Sequence, residues 1–148
     1  MKTLFVSIIG LLFSFNASSQ ILKPVTWSYA VKKTSATEAT VFIKATMQNV
    51  WHIYSLEPIV GGPVKTTFSF TRSKSCRLKG VVSGPTPITK YEDVFGVNVK
   101  YFENTVVFQQ KIILHGSSPI VQGTVQFMVC SAKQCIPPAT NPFSIPVQ

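Results

Sequence analysis

Acidic residues are scarce in this chain: 5 Asp and Glu stand against 14 Lys and Arg in 148 residues, a formal net charge of +9. Charged residues of both signs make up only 13%, whereas hydrophobic residues make up 45%. That balance excludes an intrinsically disordered chain, because the apolar content can offset the entropy of folding. Histidine is limited to two positions. No Ser/His/Asp arrangement, Gly-rich phosphate loop or pair of carboxylates in a catalytic spacing occurs, so hydrolase and nucleotide-binding chemistry have no support. The basic residues are dispersed and no nucleic-acid module is present, which directs the positive charge toward acidic partner proteins or an anionic membrane surface. Repeats and low-complexity tracts are also missing. The length leaves room for one domain.

The N-terminus has the pattern of a signal peptide. Met1 and Lys2 precede an apolar run from Leu4 to Phe15, followed by small residues and a cut expected between Ser19 and Gln20. A run of that length falls short of the roughly 20 residues that span a bilayer, and no later segment comes closer. No cysteine follows the small residues, so a lipoprotein anchor is not indicated. The expected division is a signal peptide at 1–19 and a soluble, exported domain at 20–148, periplasmic or secreted.

Helical periodicity is nearly absent from that domain. Stretches rich in Val, Ile, Thr, Phe and Tyr alternate with turn chemistry such as Gly61-Gly62-Pro63, Ser83-Gly84-Pro85 and Pro137-Pro138. The expected strands are Thr26 to Lys33, Thr37 to Met47, Val64 to Arg72, Leu78 to Val82, Tyr101 to Leu114, Ile120 to Cys130 and Phe143 to Val147. This predicts an all-β fold, an immunoglobulin-like β-sandwich of about seven to nine strands. Between Thr89 and Lys100 two acids mix with two aromatics, which suits a surface loop, and loops that carry large aromatics often carry function.

Three cysteines are present, Cys76, Cys130 and Cys135, and export makes disulfides permissible. Val125 to Cys130 reads as a strand, Ser131 to Gln134 as a turn, and Cys135 as the start of the return path. A hairpin of this kind sets its flanking residues at a separation that a disulfide can bridge. Such a bond closes a loop of about six residues and stabilises by only roughly 2 kcal/mol on the chain-entropy estimate. It lacks the long spacing of an inter-sheet disulfide and the two-residue spacing of a thioredoxin-type site. The residues alone leave redox exchange and a local structural bond both open.

Four motifs in order resemble a known family. They are Trp51-His52-Ile53-Tyr54-Ser55, Gly61-Gly62-Pro63-Val64, Tyr91-Glu92-Asp93-Val94-Phe95-Gly96 and Cys130-Ser131-Ala132-Lys133-Gln134-Cys135-Ile136-Pro137-Pro138. Together they resemble the N-terminal periplasmic domain of the thiol-disulfide interchange protein DsbD. The resemblance implies an immunoglobulin-like sandwich that exchanges thiols and disulfides, a component of a protein-disulfide reductase. It makes Cys130 and Cys135 the exchanging pair, Tyr91, Glu92, Asp93, Val94, Phe95 and Gly96 a cap loop with Phe95 over the sulfurs, and His52 and Tyr54 neighbours of the pair. Glu92 and Asp93, if close, would disfavour a thiolate. Family members commonly carry five residues between the cysteines, where this chain has four.

The implied partners are a membrane thiol reductase as electron donor, met here as a separate protein, and a periplasmic disulfide isomerase or thioredoxin-like protein as acceptor. A monomer is expected. The competing class is a non-catalytic immunoglobulin-like binding module with a local disulfide. In plainer readings Phe95 fills a core at a loop base, His52 is a hydrogen-bonded structural histidine, Tyr54 is ordinary packing and His115 is solvated. Cys76 lies among Lys74, Arg77 and Lys79, either as an exposed, activated thiol or tucked into the sandwich. Met47, Met128, His52 and the cysteines offer soft ligands for copper(I), yet no compact Met-x-x-Met or His-rich tract organises them. No metal or other cofactor is expected.

Overall fold

The computed structural model describes residues 22–116 and 118–148. The expected signal peptide, 1–19, and its expected cut lie outside the described residues. Among them the chain forms ten strands and no helix: β1 (Val25–Lys33), β2 (Glu38–Met47), β3 (His52–Tyr54), β4 (Thr67–Phe70), β5 (Cys76–Ser83), β6 (Ile88–Glu92), β7 (Val97–Glu103), β8 (Thr105–Leu114), β9 (Ile120–Cys130) and β10 (Cys135–Pro146). One sheet has the order β1-β2-β8-β5, the other β10-β9-β3-β7-β6, with β4 also paired to β9. The all-β, immunoglobulin-like sandwich is as expected, with ten strands instead of seven to nine.

Alternation builds the core. Ala39, Val41, Ile43, Ala45 and Met47 of β2 and Val106, Phe108, Ile112 and Leu114 of β8, neighbours in one sheet, face Val121, Val125, Phe127 and Val129 of β9 in the other, all buried. Gln110 interrupts the β8 row with a buried amide. Its Nε2 donates to the Lys111 carbonyl at 2.8 Å and the Lys79 carbonyl at 3.3 Å, next to the register shift between Lys79 and Ser83 of β5. The amide thus serves carbonyls that an irregular ladder would leave unpaired. Gly123 leaves a gap in the β9 row for a close approach: a Cβ there would fall 2.3 Å from the Ser69 carbonyl oxygen.

Several expected boundaries differ. The single strand read from Tyr101 to Leu114 is two, divided at Asn104, whose φ of 60° is a left-handed conformation that asparagine tolerates. There the chain passes from one sheet to the other. The stretch from Thr89 to Lys100, read as a surface loop, is mostly the β6–β7 hairpin, with only Asp93–Gly96 outside its strands. β3 has three residues, too few for alternation to mark it. The last strand begins at Cys135, because a bulge between Ile136 and Ala139 absorbs Pro137 and Pro138. β10 is an edge strand, where missing N–H donors cost no ladder partner.

Candidate functional site

Cys130 ends β9, Cys135 opens β10, and the two are direct cross-strand partners with Cα atoms 4.0 Å apart, joined by a disulfide. The turn between them is built on Ser131. Its N–H donates to the Gln134 carbonyl at 2.8 Å, and its hydroxyl accepts the N–H groups of Lys133 and Gln134, each at 3.3 Å. A serine at the start of such a turn stabilises it locally, and the turn brings the sulfurs together. The two sulfurs have unequal surroundings: Cys130 is 1% exposed, whereas Cys135 lies on the surface.

What buries Cys130 follows from strand register. Ile53 of β3 pairs with Val129 of β9, and both are buried in the sandwich core. Because neighbouring side chains on a strand alternate, His52 and its partner Cys130 face the outer side of this sheet. Tyr54, paired with Tyr101, faces the same way. That side would be wet, but Tyr54, Val99 and Cys130 form a second buried cluster, with Ile59, Phe95, Val97, Tyr101 and Met128 packed around it. The β6–β7 hairpin supplies much of the cover. In its tip the Glu92 carbonyl accepts the N–H of Phe95 at 3.2 Å and of Gly96 at 2.8 Å. Gly96 takes the left-handed φ of 67° that closes the turn. The Phe95 ring stands edge-on to Tyr54 at 6.1 Å.

A polar triad lies beside the buried sulfur. Tyr54 donates its hydroxyl hydrogen to Glu92 Oε2 at 2.9 Å. His52 Nε2 lies 3.1 Å from Glu92 Oε1 and 3.3 Å from the Tyr54 oxygen. The His52 ring also packs on Tyr101 with centroids 4.8 Å apart. Burial holds the His52 pKa below its ordinary value, with the Glu92 carboxylate pulling part of the way back. Burial and the hydrogen bond to Glu92 push the Tyr54 phenol far up, so it stays protonated and donating.

The sequence-predicted residues therefore divide. Cys130, Cys135, His52, Tyr54, Glu92 and Phe95 converge on one place. Asp93 is exposed at the hairpin tip, Val94 is 83% exposed and Tyr91 also points to solvent, and Gly96 shapes the turn. Tyr101, Val99 and Ile59 complete the site and were not anticipated. Tyr101 was readable only through its register opposite Tyr54, which no local pattern reveals. Met47 belongs to the sandwich core and Met128 to the outer cluster, so Met47 lies apart from the other soft ligands considered for copper.

Cys76 is also distant. It is 8% exposed and lies 3.8 Å from the Ile120 carbonyl, at the opposite end of the 11-residue β9 from Cys130. At about 3.3 Å per residue that strand separates them by roughly 30 Å. Cys76 lines a cleft of about 470 Å³ with Phe70, Arg72, Leu78 and Val121. The tucked reading of this thiol holds, and it cannot reach the disulfide.

A sequence profile described as thiol:disulfide interchange protein DsbD, N-terminal, matches residues 18–146. The chain belongs to this family. Among solved structures, the N-terminal periplasmic domain of ScsB from Proteus mirabilis is similar at 18% identity and a TM-score of 0.61, over 85% of this chain and 47% of that one. The chain thus spans about half of that structure's length. The DsbD N-terminal domain of Neisseria meningitidis in its reduced form matches at 13% identity and a TM-score of 0.52, over 79% and 82%. A structure of the complex between the DsbD and PilB N-terminal domains of Neisseria meningitidis matches at 14% and 0.56, over 84% and 87%. At these identities the likeness to the structures is one of fold. No curated protein sequence matches significantly. Family and fold together place the chain among the DsbD N-terminal domains, with an immunoglobulin-like sandwich.

Proposed function

We propose that the domain relays electron pairs by thiol-disulfide exchange at Cys130 and Cys135, as a protein-disulfide reductase component of the periplasm or the secreted space. The carrying observation is the unequal exposure of the two bonded cysteines, Cys135 on the surface at a strand end and Cys130 buried under an aromatic hairpin. A thiolate reaches Cys135 first, forms a mixed disulfide there and leaves Cys130 as the departing thiolate. Phe95 is the cap in this reading, and Glu92 contributes through His52 and Tyr54, whereas Asp93 lies outside their network.

The rim of the site is suited to docking. Val94 at the hairpin tip and Val60, 98% exposed, beside Ile59 of the cluster, give apolar contacts that water alone does not favour. A disulfide isomerase or thioredoxin-like acceptor and a membrane thiol reductase as donor are the partners proposed to use this rim. The complex of DsbD and PilB N-terminal domains supports the idea that family members work by docking on another protein's domain. Export is supported by the N-terminal sequence pattern and by the periplasmic description of the ScsB domain.

The cap carries its own test. With Cys76 replaced by Ala and the pair reduced, Phe95→Ala should raise the rate of alkylation of the pair by iodoacetamide about tenfold, equivalent to about 1.4 kcal/mol of lost shielding. Quenched samples counted by mass give that rate directly. An unchanged rate would make Phe95 a packing residue without a gating role.

A further inference from the structure

We propose that His52 is the base that takes the proton from the Cys130 thiol when the reduced pair passes its electrons on. The assignment rests on the relay reading above and adds a residue to it. His52 and Cys130 are direct partners across β3 and β9, on the same outer face. Side chains so placed have Cβ atoms roughly 5 Å apart, within reach of an imidazole and a thiol.

The surroundings of His52 suit it to this role. A carboxylate can only accept, so the short contact between Glu92 Oε1 and Nε2 puts the ring proton on Nε2. Nδ1 is then the basic nitrogen of the neutral ring, and Glu92 stabilises the imidazolium that forms when Nδ1 takes a proton. A base oriented and supported by a third group in this way is a recurring means of activating a nucleophile. The charged and titratable groups acting on His52 come from three strands: Glu92 and Lys90 of β6, Glu103 and Tyr101 of β7, and Tyr54 of β3, with Cys130 opposite on β9. Burial keeps the ring neutral below the ordinary histidine pKa, and only the neutral ring can accept.

Cys135 thiolate attacks an oxidised acceptor, giving a Cys135–acceptor mixed disulfide and one acceptor thiolate. Cys130 then passes its proton to His52 Nδ1, and its sulfur attacks Cys135 Sγ. The Cys130–Cys135 bond forms, the bond from Cys135 to the acceptor breaks, and its electron pair leaves on the second acceptor sulfur. The pair is oxidised by two electrons and the acceptor is reduced by two.

The aromatic disulfide dithiobis(nitrobenzoate) separates the two halves, since each releases one coloured thiolate in stopped flow. Reduced Cys76→Ala protein should show a second phase whose rate stays level as the pH falls from 8.5 to about 6.5, because a neutral base is present throughout. In His52→Gln, a side chain that can still donate to Glu92, the second phase should slow about tenfold to a hundredfold at pH 6.5 and match the parent near pH 9, where the thiol ionises unaided. The first phase should be unchanged, which a general structural defect would not allow. Equal second-phase rates in the two proteins at pH 6.5, with both phases intact, would overturn the role of His52 alone. A parent protein that releases neither thiolate would overturn the relay, and this assignment with it.

Discussion

Reduced Cys130→Ser protein, mixed with a thioredoxin-fold domain whose single cysteine is activated as a thionitrobenzoate mixed disulfide, should release thionitrobenzoate and accumulate a covalent heterodimer through Cys135, whereas Cys135→Ser should form it about a hundredfold more slowly, since attack requires an accessible thiolate. The cause is geometric. Cys135 opens β10 on the surface, while Cys130 is 1% exposed beneath Tyr54, Val99 and the Phe95 hairpin. With Cys130 replaced, the mixed disulfide has no internal thiol to resolve it and persists. With Cys135 replaced, the remaining sulfur is presented to the interior of the outer cluster. Non-reducing electrophoresis of the two mixtures, both carrying Cys76→Ala, reads the outcome. Comparable yields would mean that the hairpin opens freely and that burial of Cys130 does not direct attack.

The second large effect concerns the fold. Phe108→Ala should cost about 3–5 kcal/mol, the usual range for emptying a buried aromatic site. Phe108 is fully buried in β8 and meets Phe68 at 5.1 Å, Phe102 at 5.5 Å and Trp27 at 6.5 Å between ring centroids. Its neighbours belong to strands of both sheets, so relaxation around the cavity is limited and the transfer and cavity costs add. Against a typical total of 5–15 kcal/mol this is a large share, equivalent to a fall in Tm of about 10–20 °C for a domain of this size. Urea unfolding followed by tryptophan emission should show a lower midpoint with an unchanged slope. A loss under about 1 kcal/mol would show that these rings do not form one cooperative core. Phe95→Ala should be much milder, because Phe95 is only partly buried and lies outside that cluster.

The contrast between these two phenylalanines also shows what the sequence carries. β2, β8 and β9 were readable as strands because their long runs of Val, Ile, Thr and Phe are bounded by turn chemistry, although Phe42 interrupts the alternation of β2 and β8 was joined to β7. The cysteine hairpin was readable because Ser131 to Gln134 is turn chemistry between a strand and a proline-bearing return. β6 was missed because a hairpin that covers the outer face of a sheet is half wet itself, so Ile88 to Glu92 shows little burial and no alternation. The contact of Tyr54 with Glu92 spans 38 positions, a distance over which spacing holds no information. Only the pairing of β3 with β7, and of β7 with β6, brings them together. Resemblance to the family placed His52 and Tyr54 near the pair, but their joint hold on Glu92 emerged from the register.

The central claim is that the bond between Cys130 and Cys135 exchanges electrons. The reduction potential of the pair tests it most directly: equilibrate the Cys76→Ala protein in graded dithiol buffers, trap free thiols by alkylation and count them by mass. A value above about −250 mV, among exchanging disulfides, is predicted. A value below about −300 mV would mark a structural bond and would contradict the relay, leaving a sandwich whose hairpin is merely stapled.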